Sequence, residues 1–528
     1  MKQFIKALPV VLLTVMGSMM AADTVGRTFF LGNAGRTISN GLIVNAGRTH
    51  MPDQDAFNGV FSVQQHYSQN FNENQIGKYL FFNGTNSMIV RGVAHTAAAT
   101  TDVFAPNFSI ASLTATPSLS TITVNPSVSS ATTDLRLNVG LDEFMQGLHF
   151  NVSLPIVWTK FDAKLTEAMT TAGAATFVVA ASQAGSVFDA VGGENAPYTN
   201  MTAAFKGNLV VSGLTTLGNS ETMNFGKIDG ARSETAVGNV VVELGYDFIC
   251  KENAHLSVGI HGLFNGAAKS DAVYLFEPSI GTAGRHGVGG TVTGHVRLYE
   301  GESDDMNFTL HGSAQVTGVF DSVQRRSYDS IRHGIGSRYL QVKVQTAGAA
   351  FAVAAADHNA NYINYSTLNA KIGLGALYDI NLMVRYQNGG LCCDLGYTAW
   401  GHSAESHKGW VDAYTTQWLG AIAFGVADWT TAPTTLSNNI TITGTAGGVA
   451  AAGSVAATAA NVLTLADLNI NSGLNPAAMS NTVFGNVGYE WMDSNWKPFI
   501  GAGAAGEFAN DNNAFDQWHV FVNGGVSF

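Results

Sequence analysis

Charge is scarce in this chain. Charged residues make up 12% of its 528 positions, which excludes a charge-rich disordered chain and a coiled coil. Cysteine is rarer still. Cys250, Cys392 and Cys393 are three in number and two are adjacent, so there is no disulfide framework. Long apolar runs are missing too: beyond the N-terminus no stretch approaches the ~20 apolar residues of a membrane helix. The Ala/Gly-rich stretch 445–460 is too small and too broken by Thr and Gly to serve. Basic residues are outnumbered 26 to 38, a net of −12, and an acidic balance is not built for nucleic acid. Enzyme signatures are absent as well, with no GxSxG, no HExxH and no Walker A sequence. The glycine-rich run 284–290 reads as a loop leading into a strand. The acidic run Glu302-Ser303-Asp304-Asp305 lacks the spacing of a calcium loop and reads as a solvated turn.

What is present begins with a leader. Lys2 and Lys6 precede an apolar stretch, 7–16, and small residues follow at Gly17, Ser18, Ala21 and Ala22. This is the order of a secretory signal peptide spanning 1–22. Without Lys2 and Lys6, 24 basic residues face 38 acidic ones, a net of −14. Residues 23–53 carry Gly26-Arg27-Thr28, Gly35-Arg36-Thr37 and Gly47-Arg48-Thr49. Arginines beside glycine backbone suit an anion, but a periplasmic or lumenal lead-in is the simpler reading. The 59 glycines fit many strands that bend and pack closely.

Residues 515–528 carry the clearest periodicity. Trp518, Val520, Val522, Gly524, Val526 and Phe528 fall on one side of a period of two. Gln517, His519, Phe521, Asn523, Gly525 and Ser527 fall on the other. Period two places a strand between two different environments. The same alternation recurs in hairpins at 135–141 with 148–156, 240–248 with 256–261, 292–298 with 308–316, 380–386 with 391–397, and 483–491 with 496–508. A strand around 59–69 is available to pair with the last one. The hairpin turns are short, as at Lys251-Glu252-Asn253 and Asn388-Gly389-Gly390, and the segments between hairpins are mostly long. Those long segments, for example 430–461, are expected as external loops carrying helical turns or added hairpins. Residues 337–344 are expected to contribute a strand above the membrane. Aromatics gather near strand ends at Trp158, Tyr246, Phe248, Tyr299, Tyr386, Trp491 and Trp496, which suits an interfacial girdle.

A terminal Phe on an alternating last strand, short turns on one side and long loops on the other resemble the bacterial outer-membrane β-barrel proteins, porins among them. The resemblance implies an all-β, antiparallel up-and-down transmembrane barrel of about 12 strands over 54–528, in the outer membrane of a Gram-negative-type bacterium. In that family the terminal signature is read by the barrel-assembly machinery. Here it comprises Phe528, Val526, Val522, Val520 and Trp518. Outer-membrane lipid and that machinery are the expected partners, and the oligomeric state stays open.

Strand parity assigns an inner face. The residues expected to line the lumen are Arg136, His149, Glu243, Asp247, His255, His261, His295, Arg297, His311, Arg385, Asp394, Glu490, Lys497 and His519. Turn lengths place Glu243 opposite His261 and His295 opposite His311. The histidines read as polar filling with neutral rings rather than metal ligands, so no metal, cofactor or catalytic residue is expected. The function expected is passive diffusion of small hydrophilic solutes or ions, without enzymatic activity. The alternative is a barrel with a closed lumen whose loops bind a partner. Charge on the apolar faces, as in Val242→Arg or Leu310→Arg, should be harmful, whereas Gly245→Ser should be mild.

Overall fold

The computed structural model describes residues 25–32, 35–50, 58–91, 103–104, 119–169, 200–207, 223–301, 306–344, 358–411, 422–424, 464–493, 496–510 and 515–528. The leader 1–22, the acidic turn 302–305 and the loop stretch 430–461 lie outside them. Twelve strands form one ring. They are β1 (Asn58–Asn70), β2 (Ser127–Gly140), β3 (Leu148–Asp162), β4 (Asn239–Lys251), β5 (Ala254–Asn265), β6 (Gly287–Glu300), β7 (Met306–Val319), β8 (Gly375–Asn388), β9 (Leu391–His402), β10 (Ala478–Glu490), β11 (Lys497–Asn510) and β12 (Gln517–Ser527).

Each strand pairs antiparallel with its sequence neighbours, and β12 pairs antiparallel with β1, from Val60 opposite Ser527 to Asn70 opposite Gln517. The ring is therefore closed, with no edge strand to leave backbone groups unpaired in lipid. An added strand, Arg232–Val237, pairs with the far end of β3. Strands of 11 to 15 residues cover the 9–11 needed to cross a bilayer. The registers read from turn length hold: Glu243 faces His261, and His295 faces His311.

The alternation sorts side chains by environment. Leu244, Ile260, Val292, Val316, Leu395, Val487, Val520 and Val522 are exposed apolar residues on the outside. Their strand neighbours on the other face are buried or half-buried. Tyr246, Phe248, Tyr299, Tyr489, Trp491 and Trp496 are exposed near the short-turn rim.

The described parts of the long connections fold into a cap over the other rim. Small sheets are built there from Ser87–Arg91, Val103–Phe104, Leu119–Thr123 and Thr166–Met169, and from Ser322–Ser327, Thr367–Gly373 and Ser406–Trp410. Gln341–Val344 is the strand expected within 337–344, and it pairs with His358–Asn361 and Ile422–Phe424. Tyr79, Phe81, Met88, Ile122, Phe161, Phe205, Phe276 and Tyr339 belong to one buried apolar cluster beneath these sheets. The cap thus has a core of its own, which alternation alone could not disclose. Within it, buried Arg338 makes a bidentate contact with Asp329 at 2.7–2.8 Å.

Candidate functional site: the threaded lumen

The N-terminal segment occupies the inside of the ring. Residues 25–32 are held by the cap, where the Gly26 and Arg27 amides donate to the Phe81 and Tyr79 carbonyls at 3.1 and 2.9 Å. From there the chain runs down the lumen, forms helix α1 (Asn40–Asn45), and reaches the short-turn rim, where β1 starts. The Gly-Arg-Thr segment is therefore lumenal over 35–50, and its arginines meet carboxylates of the wall rather than an anion.

Three sets of contacts hold it. Nearest the cap, Arg36 bridges Asp379 at 3.0 Å and Glu507 at 2.9 Å. His519 lies 3.1 Å from Glu507 and 3.1 Å from His66 across the β1–β12 seam. Midway, Asn40 donates to Asp134 at 2.5 Å, and Ser39 shares a 2.6 Å bond with Thr398. Ile38, Leu42, Ile43 and Ala46 pack on Met383, Phe484 and Phe521. At the end of α1 the last carbonyls have no partner within the helix, and two arginines supply donors. Arg385 donates to the Ala46 carbonyl at 2.5 Å while pairing with Asp394 at 2.7 Å. Arg48 donates to the Ile43 carbonyl at 2.8 Å, pairs with Glu490 at 3.0 Å and stacks 3.7 Å from the Phe499 ring centre.

Below α1 lies a histidine cluster. Asp247 receives His50 Nδ1 at 2.8 Å, His255 Nε2 at 3.1 Å and His149 Nδ1 at 3.3 Å. The rings of His50 and His255 stack at 4.1 Å, and His50 meets His149 edge-on at 4.7 Å. Rings continue around the wall through His295, 5.3 Å from His255, to His311, 5.5 Å further. On the neighbouring strands, His261 contacts the Thr291 and Thr317 hydroxyls at 3.0 and 2.8 Å.

Most inner-face residues of the sequence reading are thus inside and drawn together, but two sit elsewhere. Lys497 is exposed at the short-turn rim, because it is the first residue of β11 and has no lumen wall below it. Arg297 stands at the same rim, where a bulge between Arg297 and Tyr299 leaves it pairing with Glu300 and Glu252 at 2.6 and 3.4 Å. The expected tolerance of Gly245→Ser is also corrected. Gly245 faces inward, and a Cβ there would run into the His149 ring. Sequence reasoning missed Asp379, Glu507 and His66, which have inner-face parity in β8, β11 and β1. It also missed His50, which has no periodic context.

Two cavities flank the threaded segment. One of ≈ 170 Å³ lies toward the cap, against Leu31, Val157, Leu263, Ile280, Leu374 and Leu377. The other, ≈ 180 Å³, lies toward the short turns and is lined by the histidine cluster. Thr37, Arg136, Ser153, Val241, Gln315 and Asp379 line both, so the two adjoin beside the segment. The ring is closed, apolar outside and polar within, with short turns at one rim and long connections at the other.

The chain is a closed, twelve-strand antiparallel β-barrel with the wall of a membrane-spanning barrel. No protein-family model matches it, and no curated protein sequence does. Among solved structures it is similar to an outer-membrane channel from Pseudomonas putida F1, 8% identical, with a TM-score of 0.35 over 89% of this chain and 96% of that one. A FadL homologue from Pseudomonas aeruginosa is 6% identical, with a TM-score of 0.29 over 97% and 99%. The toluene transporter TbuX of Ralstonia pickettii is 7% identical, with a TM-score of 0.24 over 89% and 90%.

Proposed function

We propose that the barrel is a gated outer-membrane transport channel, in which the N-terminal segment is a displaceable plug, and that it performs no chemical step on its solute. The supporting observation is the attachment of residues 35–50. They cross the lumen lengthwise, held by side-chain ion pairs and hydrogen bonds and by two apolar clusters, around Leu42 and around Val44. A segment held in this way can leave or shift without unfolding the wall, because the strand ladder is complete without it.

The favoured solute is small and apolar or amphipathic, in place of the hydrophilic solute expected from strand parity. Parity describes the wall, but the plug fills the water path, and one side of the cavity toward the cap is built of aliphatic side chains, with Arg136 and Asp379 among the polar residues that complete it. Apolar surface of that kind rewards an apolar guest by roughly 25 cal/mol per Å² removed from water.

Planar-bilayer recording tests the gate. The full chain should pass little steady current, and a variant lacking residues 25–50 should conduct in steady steps. A cysteine pair at Asn40→Cys and Asp134→Cys, in a Cys250→Ala, Cys392→Ala, Cys393→Ala background, should lock the plug until reductant is added. Uptake by cells tests the solute: expression should raise uptake of labelled benzyl alcohol and leave arabinose unchanged. Arabinose flux through the locked barrel, or a plugless variant as silent as the parent, would refute the reading.

A further inference from the structure

We propose that His50, Asp247 and His255, with water completing the coordination and His149 alongside, form a binding site for a first-row divalent transition metal such as Zn²⁺, which staples the N-terminal segment to the barrel wall. The residues come from separate parts of the chain: His50 from the threaded segment, His149 from β3, Asp247 from β4 and His255 from β5. One potential ligand atom from each of His50, Asp247 and His255 lies within 4.8 Å of the others. Tetrahedral Zn²⁺ with bonds of about 2.0–2.2 Å to nitrogen and oxygen needs ligand atoms roughly 3.4 Å apart. The contacts of 2.8 Å from His50 and 3.1 Å from His255 to Asp247 need only a small expansion to admit it. Imidazole with one carboxylate is a donor set that suits Zn²⁺, Ni²⁺, Co²⁺ and Cu²⁺ over Mg²⁺ or Ca²⁺.

The surroundings are arranged for these rings. Glycine at 245 leaves the volume that the His149 imidazole fills. His149 Nδ1 is buried and makes no well-formed hydrogen bond, although it points at Asp247 from 3.3 Å. Glu243 lies 3.9 Å from His149 Nε2, so the ring that borders the three ligands is itself flanked by a carboxylate. The Cys250 thiol donates to the His50 carbonyl at 3.3 Å, fixing the backbone that carries the His50 ligand. The cavity of ≈ 180 Å³ beside the cluster gives the ion access.

The test uses the full chain without a polyhistidine tag, folded in detergent and stripped with a chelator. Titration with Co²⁺ alone should give the visible d–d bands of a four-coordinate site at one ion per chain, and Zn²⁺ should bleach them. His50→Gln and His255→Gln should each weaken binding by more than the roughly 10–100-fold that loss of an outer-shell partner costs, whereas His407→Gln, in the cap, should bind as the parent does. Heat-modifiable mobility shows that each variant is folded. As a second measurement, Zn²⁺ should raise the parent's thermal midpoint by selective binding to the folded state and leave that of His255→Gln unmoved. Absence of bands in the parent, or equal binding by His50→Gln, overturns the site and leaves an ordinary hydrogen-bonded cluster. Neither measurement involves transport, so the site and the gate can fail separately.

Discussion

At the scale of single residues, the two faces of a strand obey opposite rules. Ile260 is among the most exposed apolar residues of the wall and Leu244 stands close by on β4. Ile260→Arg or Leu244→Arg would place a guanidinium in hydrocarbon, at about 2–4 kcal/mol near the midplane. Both variants should show a reduced heat-modifiable fraction after refolding. Gly245 is the instructive contrast. Alternation identifies it as inward but says nothing of what stands opposite, and there the neighbour is His149. Gly245→Ser should therefore cost about 1–3 kcal/mol, as overpacking does, read as a lower urea midpoint. A variant indistinguishable from the parent would mean that the His149 ring has somewhere else to go.

At the scale of elements, the plug helix and the cap are each held by buried charge. Arg385 serves both α1 and Asp394. Arg385→Met should cost about 3–5 kcal/mol, because it strands Asp394 without its cation, and should expose 40–48 to protease. Asp394→Leu in the same chain should recover much of the stability but not the protection. In the cap, above the membrane span, Glu405 accepts from Arg285 at 2.5 Å and from the Asn475 amide at 2.9 Å, with Arg326 at 3.4 Å. Burial pushes its carboxyl up, but Arg326 and Arg285 outweigh it and hold it below its ordinary value of 4.5. A depressed carboxylate stabilises the fold at any pH above its unfolded value, and that contribution is lost as pH falls through the lower, folded value. The cap should therefore loosen only below about pH 4.5. Nicking of the cap by a pepsin-type, acid-active protease against pH would show the step, and Glu405→Gln should be weak at every pH and lack it.

At the scale of the whole molecule, the ring depends on its last strand meeting its first. Gly59 and Phe528 exchange backbone hydrogen bonds at 2.8 and 2.9 Å, and the Phe528 ring lies 5.8 Å from Trp496. Deleting Phe528 should lower the yield of membrane-inserted, heat-modifiable barrel without stopping export, and normal insertion would argue that the seam closes by other means. The ring was legible in the sequence because a wall between lipid and a polar interior imposes period two on every strand. Residues 135–141, 240–248 and 515–528 carry that period with few breaks. A lumenal course for 23–53 was one of two readings of the sequence, but the plug's contacts were not legible, because a chain crossing a lumen has wall on all sides and no repeating environment. His50 stands 197 positions from Asp247, and no spacing rule joins them. The cap was hidden for a related reason: its core draws single residues such as Tyr79, Phe205 and Tyr339 from distant loops.

The path of the N-terminal segment has a topological consequence. Residues 25–32 are gripped at one mouth of the ring and β1 begins at the other, so the protein is a bead threaded on its own leading end. A ring sealed between β1 and β12 cannot be threaded afterwards by anything bulkier than an extended chain. Residues 35–50 must lie inside before the seam shuts, or slide in end-first as a slender strand. A folded domain fused ahead of Val25 should then strand at whichever mouth it occupied at closure, and its location would report the order of assembly.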